Sequence, residues 1–276
     1  MKKILKWTAI VLGGLIGLAL LTGLVLYPSG KEKLSRSYPN IPVEKVNIPN
    51  DSAAVSDGRH IAIIWGCTKC HGEALSGMLL TDDPLLGTIP ATNLTSGNGG
   101  IGGSYADVDW IRAIRHGVKP DGRVEIFMND YSTMSDQNLG DLIAYLKQIP
   151  QVNTNYPAMQ YGPIVPLAPV VGIYTPAAEL MDHSATRSAD PAPGATLGYG
   201  KYLFAICTEC HSATLAGKLE NWRQEDFVRA LRTGVLPNGK PINPAMSSKT
   251  FSEMNDTELI ALWLYLQSLP PLNSRK

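Results

Sequence analysis

The chain has 276 residues, of which 24 are basic and 24 acidic, so its formal net charge at pH 7 is zero. This balance excludes a nucleic-acid-binding protein that works through bulk positive charge. Hydrophobic residues make up 44% of the sequence, which excludes wholesale disorder, and four cysteines are too few for a disulfide-dense scaffold. The length suits two small domains with additional segments.

The N-terminal segment is predicted to cross a membrane. Trp7 and Tyr27 bound a stretch of 21 residues without a charge, and such a helix spans roughly 30 Å, the thickness of a bilayer core. Aromatic residues favour both membrane interfaces, and Lys2, Lys3 and Lys6 precede the stretch. The pattern predicts a single-pass anchor in the cytoplasmic (inner) membrane, with the N-terminus in the cytoplasm and the rest in the periplasm. A cleaved signal peptide is the alternative, but its apolar core is usually only about 7–15 residues long.

All four cysteines fall in two copies of the motif C-x-x-C-H, the signature of c-type haem attachment. Two thiols bond to the vinyl groups of one porphyrin, and the adjacent histidine becomes the proximal iron ligand. The alternative is a disulfide or zinc pair that happens to precede a histidine. Two copies of the full motif in one chain disfavour this alternative. The sequence therefore predicts two covalent haem c cofactors, each with its iron. The residues predicted to bind them are Cys67, Cys70, His71, Cys207, Cys210 and His211.

The sequence around the two motifs is also repeated, which indicates two similar domains. A short helix is predicted before each motif, and a second helix over 109–118 and 226–235. A third begins after the N-cap residues Ser135 and Asn255. Little in the sequence suggests strands, so the predicted fold class is all-α, with a transmembrane helix followed by two small helical bundles packed around haem.

The predicted organisation follows from these elements. Residues 151–194 are rich in proline and glycine but too apolar for a free linker, so they are predicted to pack along the first domain. The predicted segments, in chain order, are a transmembrane anchor over 1–30, a tether over 31–54, a first haem domain over 55–150, a linker or strap over 151–194 and a second haem domain over 195–276.

A haem that only carries electrons keeps a second axial ligand, and a methionine thioether is the usual one. Met128 and Met246, in the loops between the second and third helices, are the predicted ligands. Met134 and Met254 stand just before the N-caps, where a hydrophobic staple residue belongs, so they are predicted to be core residues. His60 is an alternative ligand, although an exposed or capping role fits it better. The acceptor for the second ring N–H of each proximal histidine is not identifiable from the sequence.

The chain resembles a membrane-anchored, tandem class I-type c cytochrome. Residues 114–123 (Ile-Arg-His-Gly-Val-Lys-Pro-Asp-Gly-Arg) and 93–95 (Asn-Leu-Thr) are similar to the cytochrome subunits of periplasmic alcohol and gluconate dehydrogenases. Such subunits typically carry three haems, whereas this chain has two motifs. The resemblance implies two cytochrome c domains with His/Met ligation and an exposed haem edge. It also implies electron transfer from a dehydrogenase or quinol oxidiser to an acceptor such as an oxidase or another cytochrome.

The leading hypothesis is therefore a one-electron carrier of the respiratory type rather than an enzyme, and no catalytic residue or nucleic-acid partner is predicted. The formal charge is −4 over 57–150 and +2 over 195–276, so the two domains are expected to dock different redox partners. Two alternatives stay open. One is a catalytic di-haem enzyme of the peroxidase or thiosulfate-oxidising type. The other is a cytochrome subunit that docks and anchors a soluble dehydrogenase.

Overall fold

The computed structural model describes residues 2–185, 191–208, 211, 219, 221–244, 246 and 248–269, so the predicted ligand Cys210 lies outside the described residues. The α-helices described are α1 (Lys2–Leu34), α2 (Ser52–Ile64), α3 (Cys67–His71), α4 (Asp107–His116), α5 (Asp136–Leu146), α6 (Ala177–Leu180), α7 (Leu197–Phe204), α8 (Gln224–Thr233), α9 (Ser248–Ser252) and α10 (Asp256–Ser268). Short 3-10 helices cover Val165–Leu167 and Ala205–Cys207.

The structure also contains a small antiparallel sheet, so the prediction of an all-α fold is wrong. The strands, in sheet order, are β1 (Met78–Asp83), β2 (Gly87–Ala91) and β3 (Gln160–Tyr161). Neither hairpin strand alternates apolar and polar residues, Pro90 interrupts β2, and the register shifts between Leu79 and Thr81. Proline and the lack of alternation both weaken the sequence signal for a strand, and β3 comes from a distant part of the chain.

The helix boundaries follow local signals that the sequence carries. Ser135 and Asn255 each accept a backbone N–H of the following first turn, as the predicted N-caps of α5 and α10. Helices α4 and α8 end at Gly117 and Gly234, which adopt left-handed φ values of 61° and 69°. Glycine has no Cβ that would oppose this conformation, so it ends a helix at low cost.

Two helical units, over 52–150 and 197–269, repeat the same helix contact. In the first unit, α2 packs so closely on α5 that a Cβ added at Gly58 would lie 2.0 Å from the carbonyl oxygen of Asp141. In the second unit, α7 packs on α10, and a Cβ added at Gly200 would lie 1.9 Å from the carbonyl oxygen of Ala261. Gly200 is therefore the structural equivalent of Gly58.

An arginine contact is repeated as well. The guanidinium of Arg115 on α4 lies 2.6 Å from the carboxylate of Asp136, the first residue of α5. The guanidinium of Arg232 on α8 lies 2.6 Å from the carboxylate of Asp256, the first residue of α10. Each arginine thereby ties the second helix of its unit to the beginning of the third.

The two units share one continuous hydrophobic core. The indole of Trp65, at the end of α2, packs against two tyrosine rings. Its ring centroid lies 6.1 Å from that of Tyr131 and 5.6 Å from that of Tyr202, which is on α7 of the second unit. The hydroxyl of Tyr202 accepts hydrogen bonds from Ser135 N–H at 3.2 Å and Asn138 Nδ2 at 2.8 Å. These contacts fix the second unit against the start of α5.

Among the described residues, α1 is the one helix long and apolar enough to cross a membrane, with a mean hydropathy of 2.5 over its most apolar window. Its last turn contacts the first unit, because Leu34 is buried against Ile89 and Val165. The chain then leaves the helix and stays on that unit: Ser37 forms a β-bridge with Arg123. The segment between α1 and α2 is therefore in contact with the first unit as it passes.

Candidate cofactor sites

The first C-x-x-C-H motif forms a helical turn of its own. Gly66 precedes it with a φ of 80°, a left-handed conformation that turns the chain from α2 into α3. Within α3, Cys67, Cys70 and His71 are three and four residues apart, so they lie on one face of the turn. All three side chains line the same cavity.

This first cavity has about 1050 Å³ of space between its walls, part of it open to solvent. Its walls are mostly apolar and come from β2, α4, α5 and the loop before α5. The wall residues outside the motif include Ile89, Pro90, Trp110, Ile114, Met128, Tyr131 and Met134. A large, flat, mainly apolar cofactor suits such walls, and the motif side chains stand at one side of it.

The proximal histidine of the first motif has a backbone acceptor. His71 Nδ1 lies 2.7 Å from the carbonyl oxygen of Thr92, so this nitrogen donates its proton and leaves Nε2 free for a metal. Burial lowers the pKa of His71, which keeps the imidazole neutral as a metal ligand must be. The Thr92 carbonyl is the acceptor that could not be identified from the sequence, because it is a backbone group in the segment just after β2.

The chemistry of Cys67 does not suit a thiolate site. Burial raises the pKa of its thiol to about 12, so the free side chain stays protonated at neutral pH. Redox-exchange cysteines act as thiolates and have lowered pKa values. The first motif therefore favours a neutral, covalently bonded sulfur over a redox-exchange pair.

Both methionines near the first cavity line it. Met134 is almost wholly buried in the core, as predicted, while Met128 is half-buried. Phe127, just before Met128, has a φ of 65°, which is a strained conformation for a side chain of this size. Tyr174 of the 151–194 segment stabilises this conformation of Phe127, because its hydroxyl accepts the Phe127 N–H at 2.8 Å. The assignment of Met128 as the axial ligand remains a prediction.

The second cavity has about 1350 Å³ of space between its walls, part of it open to solvent, and its lining includes Cys207, His211 and Met246. His211 N–H donates to the Cys207 carbonyl at 2.9 Å, so these motif residues also share a turn. Met254 is buried in the core, as predicted, and does not line this cavity among the described residues. Ligation by Met246 remains a prediction.

The two cavities adjoin each other. Gly66, Asn129 and Tyr131 line both, and Trp65 of the first unit contributes to the wall of the second cavity. Trp65 Nε1 and Trp110 Nε1 are buried, with no hydrogen-bond partner within the part of the chain that the structure describes. Buried donors are normally satisfied, so polar atoms of a bound group are the natural partners of these two indoles.

The remaining candidate residues have structural contacts. His60 Nε2 lies 2.8 Å from Glu258 of the second unit, and it does not line either cavity. Asn93, in the insert before the glycine-rich run, is buried and donates to the Val152 carbonyl at 2.8 Å. The glycine-rich run itself contributes Ile101 to the first cavity wall.

The family model for cytochrome c matches residues 55–150, which include the first motif and the first cavity. Residues 55–150 are a cytochrome c domain. The matched residues include most of α2, the helices α3 to α5 with the motif turn, and most of the wall of the first cavity.

Three proteins that are similar to this chain beyond residues 55–150 are cytochrome subunits of dehydrogenases. The fructose dehydrogenase cytochrome subunit of Gluconobacter japonicus is 25% identical over 83% of this chain and 55% of its own length. The cytochrome c subunit of the quinone alcohol dehydrogenase of Gluconacetobacter polyoxogenes is 25% identical over 80% of this chain and 57% of its own. The gluconate 2-dehydrogenase cytochrome c subunit of Pantoea cypripedii is 28% identical over 59% of this chain and 38% of its own. The chain thus spans just over half, or less, of these relatives.

The cytochrome c domain implies a covalent haem c, and the residues of the first cavity fit it. Cys67 and Cys70 would form the thioether bonds, and His71 would bind the iron through Nε2 while Thr92 holds its other nitrogen. The unpartnered indole N–H of Trp110 fits a cofactor that carries polar groups at its edge.

Proposed function

We propose that this protein is a membrane-tethered electron carrier with two haems c, one in each helical unit. It would pass single electrons from a dehydrogenase or quinol oxidiser to a terminal acceptor such as an oxidase or another cytochrome. Bound haem iron supplies reversible one-electron chemistry, while the protein positions it and sets its potential. The wall shared by the two cavities carries this proposal, because it brings the two motif-bearing sites into contact.

The residues of each site would hold the cofactor rigidly and keep water away. Cys67, Cys70 and His71 would fix one haem, and Cys207, Cys210 and His211 the other. Met128 and Met246 would complete the axial pairs. Apolar walls favour the less charged state of a buried redox centre, and the rigid helical contacts limit reorganisation on electron transfer.

We propose that α1 anchors the protein in the cytoplasmic membrane, with residues 55–150 and 195–276 as two cytochrome c domains in the periplasm. The apolar length of α1 supports this arrangement, as do the lysines before it. The relatives support a dehydrogenase partner, because each of the three described above is named as the cytochrome subunit of a dehydrogenase. The different charges of the two units support separate docking faces for donor and acceptor.

Matched double variants test the cofactor number. Intact mass and a redox-titrated visible spectrum would be measured for the protein matured in a host that attaches haem c. We expect Cys67→Ser/Cys70→Ser and Cys207→Ser/Cys210→Ser each to lose one of two haems. If the second double variant keeps the haem content of the unaltered chain, the proposal of a di-haem carrier is wrong.

Paired methionine variants test the axial ligands. Met128→Ala and Met246→Ala should each abolish thioether ligation at one haem, because the other methionine of each loop, Met134 or Met254, is buried in the core. Met134→Ala is the matched control. It should keep the thioether signal while lowering the free energy of unfolding by about 2–5 kcal/mol, as for other buried methionines. Loss of the signal in the control instead would move the ligand to Met134.

A further inference from the structure

The surface of the first unit around the end of α1 is unusually apolar. Residues 163–178 contain no charged side chain, although this segment lies on the surface of the unit. Ile173 is 82% exposed and Val171 56% exposed. Leu85, at the turn of the β1–β2 hairpin, is 56% exposed. Exposed apolar residues that cluster in this way mark an interaction surface.

These residues form one patch, joined by backbone hydrogen bonds. Ile164 N–H donates to the Leu85 carbonyl at 3.3 Å, which ties the 151–194 segment to the hairpin turn. Val171 N–H donates to the Leu167 carbonyl at 3.1 Å, which folds the apolar segment back on itself. The patch is called the apolar collar below, and it consists of Leu85, Leu86, Ile164, Val171 and Ile173.

The apolar collar is fixed to α1. Gly30 of α1 lies so close to the collar segment that an added Cβ would stand 1.5 Å from the carbonyl oxygen of Pro166. Lys33 Nζ donates to the carbonyl oxygen of Pro169 at 3.0 Å. Leu34 is buried against Val165. The helix and the collar therefore form one packed body.

The distance along α1 places the collar at the membrane surface. The apolar stretch ends at Tyr27, and Gly30 follows three residues later, which is roughly 4.5 Å along a helix axis. The headgroup layer on each side of a bilayer is about 5–7 Å thick. If α1 crosses the bilayer up to Tyr27, its contact with Pro166 lies within that layer.

We propose that the apolar collar inserts into the headgroup layer of the membrane that α1 crosses, and so holds the first unit against the lipid surface. The inference rests on the proposed membrane anchoring. Continuity with α1 favours lipid over a protein partner, because the collar packs directly on the helix proposed to enter the bilayer. The same hairpin supplies Leu80 and Ile89 to the first cavity, so the first site, not the second, lies nearer the membrane.

Lipid photolabelling of the full chain tests the collar. The haem-loaded protein would be placed in nanodiscs of phosphatidylcholine and phosphatidylglycerol that contain a phospholipid with a diazirine near the glycerol. After illumination and proteolysis, mass spectrometry would locate the label. We expect label in 7–27 and in 163–174, and none at the similarly exposed Val108 or Leu197.

A matched pair of variants sharpens the result. Ile173→Ser should lower the labelling of 163–174 by about tenfold, because an isoleucine side chain partitions into an apolar layer far more strongly than serine does. Val108→Ser should leave all labelling unchanged. Absence of label from 163–174 while 7–27 is labelled would overturn the collar and assign this surface to a protein partner. Absence of label from 7–27 would instead overturn the proposed membrane anchor.

Discussion

The contact between His60 and Glu258 joins the two helical units, and its loss should weaken their packing in a pH-dependent way. His60 Nε2, on α2, lies 2.8 and 3.0 Å from the two carboxylate oxygens of Glu258 on α10. Glu258 also accepts the Asn255 N–H at 2.8 Å, so its carboxylate is held in place. The hydrogen bond to Glu258 raises the pKa of His60 most, burial opposes it, and the negative charges of Asp57 and Glu253 add to the increase.

The expected magnitude follows from the burial of the two side chains. The side chain of Glu258 is 4% exposed and that of His60 is 32% exposed. The pair therefore lies between exposed ion pairs, which contribute about 0–1 kcal/mol, and buried ones, whose disruption costs about 3–5 kcal/mol. After allowance for solvent screening at His60, we expect His60→Ala to lower the free energy of unfolding by about 1–2 kcal/mol at pH 6. In a chain of this size that lowers the midpoint of thermal unfolding by roughly 2–8 °C.

The pH dependence has a definite sign. The pKa of His60 is higher in the folded than in the unfolded protein. The stabilisation is therefore complete below the unfolded pKa of about 6.5, and it is lost as the pH rises through the folded value. As the pH rises from about 6.5 through the folded pKa of His60, the stability of the unaltered protein should therefore fall towards that of His60→Ala, which lacks this contribution at every pH.

A double-mutant cycle measures the interaction. Thermal unfolding of the haem-loaded protein would be followed at pH 6 and pH 9 for His60→Ala, Glu258→Gln and the double variant. Glutamine keeps an oxygen that can accept the Asn255 N–H, so the helix cap survives. We expect a coupling energy of about 1–2 kcal/mol at pH 6 that shrinks at pH 9. Equal coupling at both pH values, or none at pH 6, would refute this reasoning.

Three further predictions concern positioning and packing. Tyr174→Phe removes the hydroxyl that accepts the Phe127 N–H, so it should lower the free energy of unfolding by about 0.5–1.5 kcal/mol and weaken the thioether signal of the first haem in the visible spectrum. An unchanged spectrum would mean that the strained loop needs no such support. Gly200→Ala should cost about 1–3 kcal/mol by overpacking α7 on α10, whereas Gly198→Ala on the same helix meets no atom within 4 Å and should be neutral or stabilising in chemical denaturation. Trp65→Phe removes a buried N–H from the second cavity wall, so a redox titration should show a lower midpoint potential for the second haem. An equal shift in both haems would contradict this.

Features that depend on local chemistry could be predicted from the sequence. The N-caps Ser135 and Asn255 and the glycine stops of α4 and α8 follow from interactions within a few residues, and they lie where predicted. The placement of Cys67, Cys70 and His71 on one turn follows from helical spacing alone. Met134 and Met254 were predicted to be core residues because a position just before an N-cap is usually apolar, and both are buried.

Features that depend on contacts between distant segments could not be predicted in this way. The sheet was not predicted because β2 pairs with β3, a strand that follows the end of the first unit in the sequence. Pro90 also weakens the strand pattern of β2. The backbone carbonyl of Thr92 can be found only once the insert is folded over His71. Trp65 enters the wall of the second cavity only because the two units pack together. Backbone acceptors and packing between units leave no periodic pattern along the chain, so side-chain spacing cannot reveal them.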